Sequence, residues 1–239
     1  MSDDLPRYAP HVLPKAERPL IGTTVLVVED SRVASEAVRL LCLRSGARIR
    51  RADTIASARR HLQTYRPAVV IIDLGLPDGS GLPLIADLAR GLPRIDVILA
   101  TSGDPDLSDD AIAAGADGFL EKPIEGLAAF QSAILAHLPA DRQPPAPRAI
   151  SDEVVTPDPV ALRDDLSHVA EVLKSGTDEA RVEYVTQFLT GVALSSRDAD
   201  LERAVDRILS ARRAGRSCVA GLSALSEVVE RRLAGGGVI

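Results

Sequence analysis

The residues of this chain best suited to chemistry are the adjacent acids Glu29 and Asp30, a lone Asp73, the hydroxyl pair Thr101 and Ser102, and the step Lys122-Pro123. Each closes or directly follows a short apolar run: residues 25–28, 69–72, 97–100 and, more weakly, 118–120. If those runs lie side by side with their carboxyl ends level, three carboxylates converge. Converging carboxylates repel one another and raise one another's pKa unless a cation sits among them. A hard divalent ion with oxygen ligands, Mg²⁺ first, suits such a set. Lys122 adds a further positive charge and Thr101 a hydroxyl donor. The combination suits phosphoryl transfer to a carboxylate, with one acid as nucleophile and the cation, lysine and hydroxyl receiving the phosphoryl oxygens. Taken singly, each residue also has an ordinary structural use: Glu29 and Asp30 capping a helix, Asp73 satisfying a turn, Lys122 solvated, Phe119 in a core. The order and spacing of the set favour the chemistry.

The elements that must position these groups are legible as alternation. The apolar runs, with another weak one at 47–49, are short, β-branched and continuous, as expected of strands buried on both faces. Between them lie helical patterns. Val33, Ala37, Leu40 and Leu41 follow the N-cap candidate Ser31 and end at Gly46; Ile55, Ala58, Leu62 and Tyr65 are stopped by Pro67; Leu84, Ile85 and Leu88 precede Gly91. A short helix around 111–114 closes at Gly115, and Leu127, Phe130, Ile134 and Leu138 precede Pro139. Five β-then-α units in about 120 residues predict an α/β, flavodoxin-like (βα)5 doubly wound parallel sheet, whose chemistry sits at the carboxyl edge of the strands.

Composition shifts set the remaining boundaries. Prolines 6, 10, 14 and 19 predict an extended leader over 1–22, and prolines 139, 144, 145, 147, 157 and 159 a linker over 139–159. The sheet domain then spans 23–138. Residues 160–234 carry four apolar stripes at helical spacing, beginning at Leu162, Val182, Leu201 and Val219, and predict an all-α helical bundle of antiparallel neighbours. Cys42 and Cys218 both fall in apolar helical patterns and are expected to be reduced and buried. The aromatic content is 3% with no Trp, so the cores must be built from Val, Ile, Leu and Ala. The first residues lack the basic segment and apolar core of a secretory signal, and no apolar run has bilayer length; a cytoplasmic protein with no membrane association is expected.

The strings Val25-Leu26-Val27-Val28-Glu29-Asp30-Ser31, Ile71-Ile72-Asp73-Leu74-Gly75-Leu76-Pro77-Asp78-Gly79, and Gly115-Ala116-Asp117-Gly118-Phe119-Leu120-Glu121-Lys122-Pro123 resemble the receiver domains of two-component response regulators, in order and at suitable spacing. The resemblance covers about residues 23–138. It implies Asp73 as phosphoacceptor, Asp30 binding Mg²⁺ directly, Glu29 binding it through water, and the Gly75 carbonyl as a third protein ligand. Thr101 falls in the switch-hydroxyl position, with Ser102 the alternative. Lys122 would contact the phosphoryl group, and Pro123 would follow it through a cis peptide bond. Phe119 falls at the mobile switch aromatic and lacks the hydroxyl of the Tyr found in many relatives. The implied donor is a cognate histidine kinase or phosphotransfer protein, and the chain is not expected to be a stand-alone enzyme.

The second half has no motif of comparable weight. Residues 151–239 hold 11 Lys and Arg against 15 Asp and Glu, and the whole chain carries −6, which makes nucleic acid an unlikely partner. Arg203, Arg207, Arg212, Arg213 and Arg216 read as a solvated face. His168 is followed by Leu173-Lys174, too distant for a phosphotransfer motif, and reads as a surface histidine. The apolar stripes predict an oligomerisation or protein-interaction output, most simply a homodimer through the helices, with an unknown output protein. Two rival readings are a transcription factor with an atypical helical DNA-binding domain, and a phosphorelay intermediate passing phosphate between Asp73 and a histidine.

Overall fold

The structure, a computed structural model, describes residues 14–145, 151–156 and 158–235. Pro6 and Pro10 of the expected leader, and Pro147 and Pro157 of the expected linker, lie outside the described residues. Five parallel strands, β1 (Thr24–Val28), β2 (Arg48–Ala52), β3 (Val69–Asp73), β4 (Val97–Ser102) and β5 (Gly118–Glu121), form one sheet in the order β2-β1-β3-β4-β5. Helices α1 (Arg32–Ser45), α2 (Ile55–Thr64), α3 (Leu82–Arg90), α4 (Ser108–Ala114) and α5 (Leu127–Leu135) cover its two faces.

The strand period of two sorts the apolar runs. Val25, Val27, Val69, Ile71, Val97 and Leu99 share one core with α1 and α5. Leu26, Val28, Val70, Ile72, Ile98 and Ala100 share the other with α2, α3 and α4. Central strands buried on both sides must read as unbroken apolar runs, and these do. At the edge, β2 has the sequence Arg-Ile-Arg-Arg-Ala with alternating exposure. The strand therefore extends three residues beyond the apolar segment at 47–49, because an edge strand tolerates charge on its open face.

Local termini follow the residues. The Ser31 side chain accepts from the Ala34 amide at the start of α1, and Gly46, at φ +83°, closes it in the left-handed region. Tyr65 leaves α2 in extended backbone, two residues ahead of Pro67. Leu138 lies beyond the end of α5 but remains buried in the core.

The described parts of both flanking segments join the domain. Leu20 is fully buried in the α1–α5 core, and its amide donates to the Ser45 carbonyl at 2.9 Å. Within the expected linker, Val155 is buried in the same core; Gly126 and Val154 form an antiparallel bridge, and the Val155 amide donates to the Glu125 carbonyl. An apolar Val beside free backbone groups gave that stretch something to bury.

Helices α6 (Pro159–Ser175), α7 (Glu179–Ser196), α8 (Ala199–Arg213) and α9 (Val219–Gly235) form the bundle, α6 against α7 and α9, and α8 against α7 and α9. Its core holds Leu166, Val169, Val185, Leu189, Val192, Leu201, Val205, Ile208, Leu225 and Val229. Val219, expected on the apolar stripe, is exposed at the first turn of α9. Cys218, immediately before that turn, is half-buried rather than buried, whereas Cys42 is fully buried in the sheet-domain core; both are free thiols. The bundle does not stand apart: α6 and α7 pack on α1, and α7 also packs on Gly75–Leu76.

Candidate active site at the carboxyl edge of the sheet

In the strand order β2-β1-β3, the chain reverses direction across the sheet at β1 and β3, and a crevice opens beyond their carboxyl ends. Glu29 and Asp30 follow β1, and Asp73 is the last residue of β3. One carboxylate oxygen from each can be chosen so that all three lie within 4.8 Å of one another. The β3–β4 register places Thr101 directly beside Asp73. The Lys122 amide donates to the Ser102 carbonyl at 2.9 Å, which brings the lysine to the same edge.

Lys122 is 5% exposed and its Nζ lies 3.0 Å from Asp73 Oδ2 and 2.7 Å from Glu29 Oε2. Burial alone would lower the pKa of this ammonium, but the charges of Asp73 and Glu29 outweigh it and the net shift is upward. The acids show the converse. Burial, then the Asp73 charge, raises Glu29 to about 8 against the pull of Lys122. Burial raises Asp30 to about 7, opposed by a hydrogen bond from Tyr184. Three acids and one lysine leave the cluster short of positive charge. Asp30 Oδ1 and Thr101 Oγ1 are buried side-chain atoms without a hydrogen-bond partner. A buried acceptor and a buried hydroxyl left open beside three carboxylates fit a divalent cation and an anionic group bound at this edge.

The hydroxyl assignment separates here. Ser102 Oγ accepts from the Asp104 amide at 3.1 Å and is engaged in its own loop, while Thr101 Oγ1 is free. The Gly75 amide donates to Asp73 Oδ1 at 3.3 Å, so Gly75 lies against the candidate nucleophile. Phe119 is half-buried against the α2–α4 core, and the Lys122-Pro123 peptide is cis. All eight residues singled out in the sequence (Glu29, Asp30, Asp73, Gly75, Thr101, Phe119, Lys122 and Pro123) therefore fall on or next to this edge.

Four further residues, not legible beforehand, reach it from the bundle. Tyr184 on α7 donates its hydroxyl to Asp30 Oδ2 at 2.6 Å, and the same hydroxyl lies 2.8 Å from His168 Nε2. Its own pKa is raised, first by burial and then by the Asp30 charge. Asp165 on α6, 2% exposed, accepts from Ser31 Oγ (2.7 Å), the Arg32 amide (2.6 Å) and the Val33 amide (3.1 Å), and so caps the receiving helix α1 from another domain. Burial raises the Asp165 pKa, opposed by those same hydrogen bonds. The Gln187 side chain lies against Gly75, where a Cβ would meet its Cδ at 2.6 Å. Gly191 lies against Lys122: a Cβ there would stand 3.1 Å from Lys122 Cδ. The one local signal was Gly191, a glycine inside an apolar helical stretch. His168 is exposed, as read from the sequence, and its ring also packs edge-on to Tyr184 and Phe188.

Residues 25–134 match the response regulator receiver domain family. The KDP operon transcriptional regulatory protein KdpE of Escherichia coli (strain K12) is 29% identical over 73% of this chain and 73% of its own length. Transcriptional regulatory protein KdpE of Mycobacterium tuberculosis (strain CDC 1551 / Oshkosh) is 35% identical over 47% of this chain, which spans 51% of that relative's length. Among solved structures, the CheY-like response regulator receiver domain from Methylobacillus flagellatus is 32% identical, with 47% of this chain and 98% of that chain covered and a TM-score of 0.42. Residues 25–134 of this chain belong to the response regulator receiver domain family.

Proposed function

We propose that this chain is a phosphorylation-controlled regulator in which Asp73 accepts the phosphoryl group and the helical region carries the output. The observation that supports it most is the pairing of Asp73 with Lys122 at 3.0 Å beside the partnerless Thr101 hydroxyl, since together these supply a nucleophile, a fixed cation and a free hydroxyl. An oxygen of Asp73 attacks phosphorus as the P–N bond of a phosphohistidine breaks. The imidazole leaves with the bonding electron pair and takes up a proton, and an acyl phosphate remains on Asp73. Glu29, Asp30, Asp73 and the Gly75 carbonyl would hold Mg²⁺, which when bound neutralises charge on the phosphoryl oxygens. Lys122 orients the same oxygens. Thr101 then turns its hydroxyl toward them, and Phe119 moves into the space released.

The donor is a histidine kinase or phosphotransfer protein, the partner class of receiver domains. The chain turns over no separate substrate. Incubation with acetyl phosphate and Mg²⁺ should add one phosphoryl mass to the intact chain, and Asp73→Asn should abolish it. Normal labelling of that variant would remove Asp73 from the role.

Output through protein association fits the net charge of the helical region, 11 Lys and Arg against 15 Asp and Glu over residues 151–239. Light scattering with and without beryllofluoride tests it: a change of mass on addition supports controlled homodimerisation. A second reading, DNA-binding output, is favoured by the names of the two KdpE relatives, both transcriptional regulatory proteins. Salt-dependent binding to duplex DNA would support that reading instead. No helix among the described residues is long and apolar enough to cross a membrane.

A further inference from the structure

We propose that the helical region is a built-in occupant of the acceptor edge, held there through Tyr184, Asp165 and Gly191, and that it competes with the divalent cation and the phosphodonor for that edge. The inference rests on the reading of Asp73 as acceptor given above.

Three independent contacts carry it. Tyr184 supplies Asp30 with a hydrogen-bond donor at 2.6 Å, so one of the two Asp30 oxygens is already engaged by a group that brings no net charge. A cation drawn by Glu29, Asp30 and Asp73 finds Asp30 Oδ1 open but meets a carboxylate whose other oxygen, and part of whose charge, Tyr184 already engages. Asp165 ties α6 to the first turn of α1, whose preceding loop carries Glu29 and Asp30. Gly191 lets the α7 backbone lie directly on Lys122, and the α7 backbone also closes on the β4 edge: a Cβ on Gly103 would stand 3.2 Å from the Gly191 nitrogen. Arg197, at the end of α7, adds an ion pair to Glu125 at 2.6 Å.

Asp73 is 5% exposed. Two of the clefts that flank α7 have volumes of about 480 and 380 Å³; Asp73 lines neither, and the second reaches Asp30 only beside Tyr184 and Asp165. A phosphodonor must approach Asp73 in line, and a phosphoryl group brings three oxygens and close to two negative charges. α7 lies on Lys122 and Gln187 on Gly75, two of the groups beside which both would have to fit. The docked arrangement thus favours the unmodified, cation-free site, and by reciprocity the cation and the phosphoryl group favour release.

The test uses the full chain with two substitutions. Gly191→Leu puts a side chain against Lys122 and away from the bundle core, and Tyr184→Phe removes only the hydroxyl. Mg²⁺ affinity is read by titration calorimetry, labelling of Asp73 from acetyl phosphate by intact mass, and docking by hydrogen exchange at the Arg32 and Val33 amides. Faster exchange, at least tenfold tighter Mg²⁺ binding and at least tenfold faster labelling in Gly191→Leu, with a smaller change of the same sign in Tyr184→Phe, are expected. Unchanged Mg²⁺ affinity despite faster exchange would overturn the proposal, and so would unchanged exchange in both variants. Tighter Mg²⁺ binding with no label on Asp73 in any form would uphold the competition and refute Asp73 as acceptor.

Discussion

Replacing Asp165 by Ala isolates the contact between the domains from the chemistry, because the residue touches α1 and none of the acids. Its carboxylate accepts three hydrogen bonds, from Ser31 Oγ, the Arg32 amide and the Val33 amide. Hydrogen bonds to a charged group contribute about 1.5–3 kcal/mol each when their loss leaves the partner buried and dry. Two corrections reduce that sum. The carboxylate is itself buried at a cost, visible in its raised pKa. If α6 swings away, water also satisfies the freed amides at the helix N-terminus. The remainder is about 2 kcal/mol, with the helix dipole included, or roughly a thirtyfold shift between docked and released forms. The assay is hydrogen exchange at Arg32 and Val33, which should accelerate by about that factor, alongside urea denaturation of the full chain. Asp165→Asn keeps one acceptor oxygen and should show about half the free-energy change. Exchange at Arg32 and Val33 as slow as in the wild type would refute the reasoning, since those amides would then owe their protection to something other than Asp165.

Thr101→Val removes a buried hydroxyl that has no partner and replaces it with a methyl of similar volume, so the unmodified protein should lose less than about 1 kcal/mol. A larger loss in thermal unfolding would show that the hydroxyl is already engaged. Burial pushes the Cys42 thiol up to about 12, while Cys218 is half-buried; an alkylating reagent at pH 8 should add one adduct per native chain, on Cys218, and two fast adducts would contradict this packing. Arg232 on α9 holds the N-cap Asp198 of α8 with two hydrogen bonds, 2.6 and 2.9 Å, and keeps that carboxyl below its usual range. A depressed carboxyl contributes stability above its unfolded pKa of about 4, and loses it as pH falls through the folded value. Arg232→Ala should therefore cost about 1 kcal/mol at pH 7, limited by solvent screening at the half-exposed Arg232, and progressively less below pH 4. A penalty that is the same at pH 7 and pH 3 would assign it to packing.

The receiver half was legible because its signals are local. Central strands buried on both faces spell themselves out as residues 25–28, 69–72 and 97–100, with Glu29, Asp30, Asp73 and Thr101 one or two steps beyond them, and Lys122 follows the weaker run at 118–120. The edge strand was less legible, since Arg50 and Arg51 face partly outward there and the Arg51 side chain reaches back to the Asp30 carbonyl at 3.0 Å. In the bundle, the apolar stripes gave four helices but not their second partner. The stripe of α7 is wide: Val182, Val185, Leu189 and Val192 face the bundle, while Tyr184, Gln187 and Gly191 face the receiver. The apolar stripes were read as calling for a separate partner or a second copy; within the chain, one face of α7 lies on the carboxyl edge of the receiver sheet.

What made the contact illegible is sequence distance combined with ordinary chemistry. Asp165 and Ser31 are 134 residues apart, and Tyr184 and Asp30 154 apart. An Asp or a Tyr on a helix carries no mark of what it caps. Gly191 is different, because an interior helical glycine costs about 1 kcal/mol relative to Ala and needs a reason to persist. Here the reason is approach: Gly103 and Gly191 meet with almost no side chain between them, and Lys122 lies beneath. An Ala at Gly191 would regain that propensity but would stand 3.1 Å from Lys122 Cδ. Lys122 cannot step aside freely, because Asp73 and Glu29 hold its ammonium from the other end. The same lysine is thus the floor on which α7 rests and, in the proposed acceptor chemistry, the cation beside Asp73. A charge placed on Asp73 therefore acts directly on the residue that supports the docked helix.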